Sequence, residues 1–175
     1  MEWLVSIDEQ LMVVLNHLFP SSTDVFWLTV TKFWVWIPLY IAILHRLWLA
    51  SSPAQFLIRL ALIVVAILLW DQGANVAKHY FQRPRPCQTL DSIRILAHCS
   101  PYGFFSAHAA NTFGLAFLLR RWLHASWFPV LIFAAIIQSF SRLHIGVHYP
   151  TDLLIGALWG ILVSLVLLKT EKKWN

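Results

Sequence analysis

Residues 56–86 read FLIRLALIVVAILLWDQGANVAKHYFQRPRP, and this stretch decides the class of the chain. Its first part, Phe56–Ala77, is an apolar run broken by Arg59 near its start and by Asp71 and Asn75 near its end. About 20 apolar residues in a helix cross the hydrocarbon core of a bilayer. Lys78, Arg83, Arg85 and two prolines follow at once. Membrane chains place such residues beside a span at a cost, and usually for function.

The whole chain has the same character. Of its 175 residues, 59% are hydrophobic and 12% are charged, against about 25% charged in a soluble domain. Ten Trp and four Tyr suit a protein with two membrane–water interfaces. The expectation is an all-α integral membrane helical bundle, one domain over residues 1–175. The net charge of +5 reads as cytoplasmic anchoring by Lys and Arg. No soluble basic face exists to carry nucleic acid, so that partner is excluded.

Outward from the opening stretch, five spans are expected: Val25–Leu49, Phe56–Ala77, Phe105–Trp122, Trp127–Phe140 and one from Pro150 to about Leu168. The fourth is short and should extend into flanking polar residues. Pro150 suits the first position of a helix. Residues 1–20 read as an amphipathic helix in the interface, with Trp3, Leu4, Ile7, Leu11, Val14, Leu15 and Leu18 on its apolar stripe and Asp8 and Glu9 between them. That segment lacks the positive start of a cleavable signal. Residues 78–104 read as a polar loop. Arg46, Arg59, Arg120, Arg121, Lys169, Lys172 and Lys173 mark the cytoplasmic side. The 78–104 loop and the 141–150 turn then share the extracytoplasmic face.

Three polar clusters meet on that face: Lys78 to Pro86, Phe105 to His108, and Ser141 to Asp152. Lys78, Arg85 and Arg142 suit a phosphate cradle, because Arg presents a fork matching two oxygens and Lys adds a point charge. Arg83 and Arg94 read as interfacial cations snorkelling to headgroups. Ser106, Ala107 and His108 stand at a helix start, where free N–H groups favour an anion; Ser106 also suits a plain N-cap. His148 and Asp152 are four apart and stack on one helix face. A carboxylate on one ring nitrogen makes the other a nucleophile or base. The residues alone do not say which histidine attacks. His144 and His148 are also four apart, but residues 145–147 are Ile-Gly-Val and lack the Glu usual beside a zinc-binding His pair. No metal or cofactor is assigned. Cys87 and Cys99 both lie in the outer loop, where an oxidising compartment lets such a pair join.

These motifs resemble those of the type 2 phosphatidic acid phosphatase family, integral-membrane lipid phosphatases sharing a fold core with vanadium haloperoxidases. The family pattern Lys-x6-Arg-Pro appears as Lys78, Arg85 and Pro86. Ser-Arg-x5-His-x3-Asp appears as Ser141, Arg142, His148 and Asp152. Pro-Ser-Gly-His is degenerate: Phe105 replaces Pro and Ala107 replaces Gly, while Ser106 and His108 remain. The Ala107 N–H still donates. The match runs over residues 71–165. The resemblance implies that His148 is the nucleophile forming a phosphohistidine, Asp152 orients it, and His108 is the general acid. It implies that Lys78, Arg85, Ser106, Ala107 and Arg142 hold the phosphoryl oxygens without metal. The expected substrate is a lipid phosphate or diphosphate: undecaprenyl diphosphate, phosphatidylglycerophosphate, phosphatidate or lipid A 1-phosphate. The expected location is a bacterial inner membrane, surrounded by membrane lipids. The alternative is a non-catalytic lipid-phosphate binder or translocator. An oriented His148 favours the enzyme, since binding alone has no use for it. Haloperoxidase chemistry is the third reading, and the spans argue against it.

Overall fold

The computed structural model describes residues 2–171. Its helices are α1 (Glu2–Asn16), α2 (Asp24–Val30), α3 (Ile37–Leu49), α4 (Pro53–Phe81), α5 (Pro86–Thr89), α6 (Ala107–Leu119), α7 (Trp127–His144) and α8 (Pro150–Glu171). Each boundary has a local cause. A capping box starts α4: Ser52 Oγ accepts from Gln55 N at 3.3 Å, and Gln55 Oε1 accepts from Ser52 N at 3.1 Å. It ends where Gln82 turns left-handed at φ 46°. At 29 residues α4 is about 43 Å long, so Lys78 rides on its last turn. α7 runs past Phe140 through Ser141 and Arg142, as the shortness of the fourth expected span required.

α6 is the hub, packed against α8, α7 and α4. Small residues let the backbones approach. A Cβ on Gly156 would stand 2.4 Å from the Ser106 carbonyl oxygen, and one on Gly160 would overlap the Ala110 carbonyl. Ser164 Oγ, fully buried, donates across the seam to the Gly114 carbonyl at 2.8 Å. Trp70 fills the space beside Gly114, and its indole N–H donates to the Gly160 carbonyl at 3.2 Å. Where lipid supplies no hydrophobic drive between helices, this close packing and these bonds hold the seam.

The five expected spans map onto the helices with two departures. α4, α7 and α8 are each long and apolar enough to cross a bilayer. Val25–Leu49 is broken after Val30: Ser21–Val30 and Phe33–Leu49 are bent by 71°, the second arm opening with a 3-10 turn at Phe33–Trp36. Lys32 is extended there, Thr31 Oγ1 bonds back to the Leu28 carbonyl at 2.7 Å, and Pro38 opens α3 with no N–H to continue a helix. α6 has 13 residues, about 20 Å, short of the hydrocarbon thickness. Lys172 and Lys173 lie outside the described residues.

α1 turns Trp3, Leu4, Ile7, Leu11 and Val14 outward and buries Asp8, Met12 and Asn16. Asp8 is therefore not a polar edge but an anchor into the protein. Asn16 holds α1 to the last turn of α7: its amide donates to the Leu143 and His144 carbonyls at 3.0 and 2.8 Å.

Candidate active site

The ends of five helices build the site. α4 ends with Lys78. Arg85 opens α5, Ser106 stands before α6, Arg142 lies near the end of α7, and His148 precedes α8 with Asp152 in its first turn. The reversal between α7 and α8 depends on Gly146. It sits at φ 83°, and a Cβ there would stand 2.5 Å from the Arg94 carbonyl oxygen. The N–H groups of Ile145, Gly146 and Val147 bond back to the carbonyls of Ser141, Leu143 and Arg142, closing the helix end. His148 is thereby carried back over the helix ends.

Asp152 is fully buried. Its Oδ2 accepts from His148 Nδ1 at 3.3 Å and from the Tyr149 N–H at 3.0 Å. With Nδ1 committed, Nε2 is the nitrogen left for chemistry. Burial is the largest influence on the His148 imidazole. It pushes the pKa down to about 4, helped by Arg85 and Arg142 and opposed by the Asp152 hydrogen bond. The ring is therefore neutral at ordinary pH.

Arg85 is buried, and its Nε and Nη1 donate to the carbonyls of Tyr102 and Val147, both at 3.1 Å. Burial lowers its pKa and Asp152 opposes this. Gly103 makes room: a Cβ there would meet Arg85 Cγ and Asp152 Oδ2, each at 3.2 Å. Lys78 lies in electrostatic reach of Arg85, Arg142, Asp71 and Asp152. His108 lies in reach of Arg142, His148, Lys78 and Arg85. All the residues expected to serve chemistry thus share one locus. Ser106 occupies the N-cap position of α6, yet its hydroxyl makes no cap bond. Ser106 Oγ and Arg142 Nε are buried without a protein hydrogen-bond partner. The Ser106 N–H donates to the Asp152 carbonyl at 3.0 Å and ties α6 to α8. Cys87 and Cys99 are joined in a disulfide with 6.2 Å between their Cα atoms, two residues past Arg85.

Two readings of the sequence are corrected. Arg83 does not snorkel: it pairs with Asp8 at 2.7 Å and Asp152 at 3.2 Å. Arg94 does not either. It pairs with Asp24 at 3.0 Å and donates to the Asn16 carbonyl at 2.8 Å. His144 points away from His148, with Nε2 bonded to Asp24 Oδ1 at 2.8 Å. Sequence reasoning missed Asp8, Thr151 and Tyr149 as neighbours of the site. The one signal was a carboxylate in the middle of an apolar N-terminal helix. Inside the bundle, Asn111 Nδ2 donates to Asp71 Oδ1 at 2.9 Å, which satisfies one oxygen of a carboxylate placed in a span.

The chain is similar to known proteins. The model of the PAP2 superfamily matches residues 55–175. A lipid A 4'-phosphatase of Bacteroides thetaiotaomicron is 34% identical over 91% of this chain and 74% of its own length. A lipid A 4'-phosphatase of Porphyromonas gingivalis is 26% identical over 94% of this chain and 72% of its own. The crystal structure of LpxE from Aquifex aeolicus has the same fold, with a TM-score of 0.76 over 91% of this chain and 93% of that one at 24% identity. Helices fit to cross a bilayer, the three motifs in order at one end of the bundle, and a family match covering well over half of the residues lead to one assignment. The chain is a multi-pass membrane protein and belongs to the PAP2 superfamily.

Proposed function

We propose that this protein is a lipid phosphatase acting through a phosphohistidine at the extracytoplasmic face of the bacterial inner membrane. The observation that carries the reading is the His148–Asp152 pair: a buried, neutral imidazole held by a carboxylate among three cations. Phosphoryl transfer is a problem of positioning and charge neutralisation. Lys78, Arg85 and Arg142 supply three positive charges. Ser106 Oγ and the free N–H groups at the start of α6, that of Ala107 among them, add donors. No metal is required in this scheme.

His148 Nε2 attacks phosphorus in line while Asp152 accepts from Nδ1–H. The bond from phosphorus to the lipid oxygen breaks, and His108 gives that oxygen its proton. Water then attacks the phosphohistidine, and His108 takes a proton from it. Phosphate leaves, and His148 returns to its neutral form. One ester and one water become one alcohol and one phosphate. The basic residues Arg46, Arg59, Arg120 and Lys169 lie at helix ends away from the site, which supports the extracytoplasmic assignment.

The substrate proposed first is a phosphorylated lipid A, since both relatives named above carry that activity in their names. Purified protein should release phosphate from lipid A without added metal, in a panel that includes undecaprenyl diphosphate, phosphatidylglycerophosphate and phosphatidate. His148→Ala should reduce turnover to background, and Asp152→Asn should leave a small residue because orientation alone is lost. A His148→Ala protein that keeps more than about a tenth of wild-type kcat, a loss under about 1.4 kcal/mol, removes His148 as nucleophile.

A further inference from the structure

Arg83 and Asp8 have no role in the steps above, yet both are wired to Asp152. One carboxylate oxygen of Asp152 serves His148 and the Tyr149 N–H. The other, Oδ1, accepts from Arg83 Nη1 at 3.2 Å, and Nη2 of the same guanidinium reaches Asp8 Oδ2 at 2.7 Å. Asp8 is 3% exposed and Asp152 is 0% exposed, so Arg83 bridges two buried carboxylates. Asp8 also accepts from N and Oγ1 of Thr151, the residue before Asp152. The Arg83 plane lies over the Tyr149 ring, 4.1 Å from its centroid. Tyr149 is fixed in turn by Thr89 through a 2.6 Å bond between hydroxyls.

We propose that Arg83 and Asp8 are positioning residues for the His148–Asp152 pair, and that α1 is the element that delivers Asp8. The inference rests on the phosphatase reading. A carboxylate held by one oxygen swings about its last torsion, and the His148 bond, at 3.3 Å, has no slack for that. Arg83 holds the second oxygen and closes the torsion. Its planar fork spans two acceptors in a way Lys cannot. Asp8 fixes the fork from the far side. α1 is itself seated with its apolar face outward.

The charges predict the sign of the effect. His148 is faced by Asp152 on α8, Arg85 at the start of α5, Arg142 on α7 and His108 on α6, with Lys78 on α4 beyond His108. Arg83 cancels part of the Asp152 charge. Without it, protonated His148 is favoured, and the acidic limb of kcat/KM moves to higher pH.

The test uses the full chain in mixed micelles with lipid A. Arg83→Gln should lower kcat about tenfold or more with KM within about twofold, and move the acidic limb up by about one pH unit. Arg83→Lys keeps the charge, so its limb should return to the wild-type position while kcat recovers in part. Asp8→Asn should lower kcat without raising the limb. The double variant Asp8→Asn/Arg83→Gln should be no worse than Arg83→Gln, because the two act as one unit. Arg83→Gln that is folded by thermal unfolding, with kcat within about twofold of wild type and an unmoved limb, overturns the inference. So does a double variant whose losses multiply. If the wild-type protein hydrolyses nothing in the panel, the phosphatase reading fails instead. The positioning inference is then decided by nitrogen NMR titration of His148, identified by its loss in His148→Gln. A rise in its pKa in Arg83→Gln supports the inference, and no change refutes it.

Discussion

Gly156→Ala tests whether the α6–α8 register sets the attack geometry. Gly156 lies one turn past Asp152, against the backbone that carries Ser106. A Cβ there would stand 2.4 Å from the Ser106 carbonyl oxygen and 3.3 Å from Ala109 Cβ, where ordinary contact begins at 3.4 Å. The start of α6 must therefore retreat from α8 by about 1 Å, and neither backbone has a torsion that absorbs this. The retreat stretches the 3.0 Å bond from the Ser106 N–H to the Asp152 carbonyl beyond bonding range. Overpacking costs about 1–3 kcal/mol, and the buried hydrogen bond about 1 kcal/mol more. The catalytic effect is separate. Ser106 and His108 move with α6, while His148 and Asp152 stay with α8. A displacement of about 1 Å between reacting groups costs about a hundredfold in rate, which is about 2.7 kcal/mol in the barrier. The assay is kcat on lipid A in mixed micelles, scaled to the folded fraction from thermal unfolding. Gly73→Ala is the control. Its Cβ would press on the Trp159 indole, a side chain, at 2.5 Å, so it should lose stability while kcat stays within about threefold. A folded Gly156→Ala protein with kcat within about threefold of wild type, or a Gly73→Ala protein that loses as much, would refute the reasoning.

Three further outcomes are expected. The His148 imidazole, held down to about 4 by burial, loses its lone pair to a proton as pH falls through that value. The acidic limb of kcat/KM should therefore lie near 4, and a limb near the unperturbed 6.5 would show that His148 is solvated. The same depression means that unfolded His148 binds protons more readily between about 6.5 and 4, so its contribution to stability declines as pH falls through that window. Reducing the Cys87–Cys99 disulfide, which closes a separation of 12 residues, should cost up to about 3 kcal/mol in the chain-entropy model and weaken catalysis through Arg85; an unchanged melting temperature with reductant excludes the clip. A reporter active only outside the cytoplasm, fused after Lys173, should be silent, and activity there overturns the proposed orientation.

The site was legible in the sequence to the extent that its residues sit within single motifs. Lys78 with Arg85, and His148 with Asp152, are local pairs whose spacing follows from helix and turn geometry. The apolar runs gave α4 and α8 nearly to their ends, because hydropathy is averaged over a window of helical length. The same averaging hid the break after Val30. Thr31, Lys32 and Pro38 are three local interruptions inside a run that stays hydrophobic on average. The pairing of Asp8 with Arg83 spans 75 residues in the chain, and no local pattern encodes it. The shortness of α6 was hidden for a related reason. Its seam of Ala109, Ala110 and Gly114 is as apolar as a lipid-facing stripe, yet it is small because protein, not lipid, covers it.

The state of His148 argues for catalysis over mere binding. A site built to retain a lipid phosphate gains from every added positive charge, and an imidazolium would be a fourth beside Lys78, Arg85 and Arg142. Here the reverse holds. Burial and the two guanidiniums keep the ring neutral, against the pull of Asp152. That arrangement forgoes anion affinity and leaves an uncharged Nε2 lone pair among groups that neutralise phosphoryl oxygens. Asp152 then has a use that binding alone would not give it. In the proposed reaction it fixes the tautomer in the ground state and stabilises the ring as positive charge develops on attack.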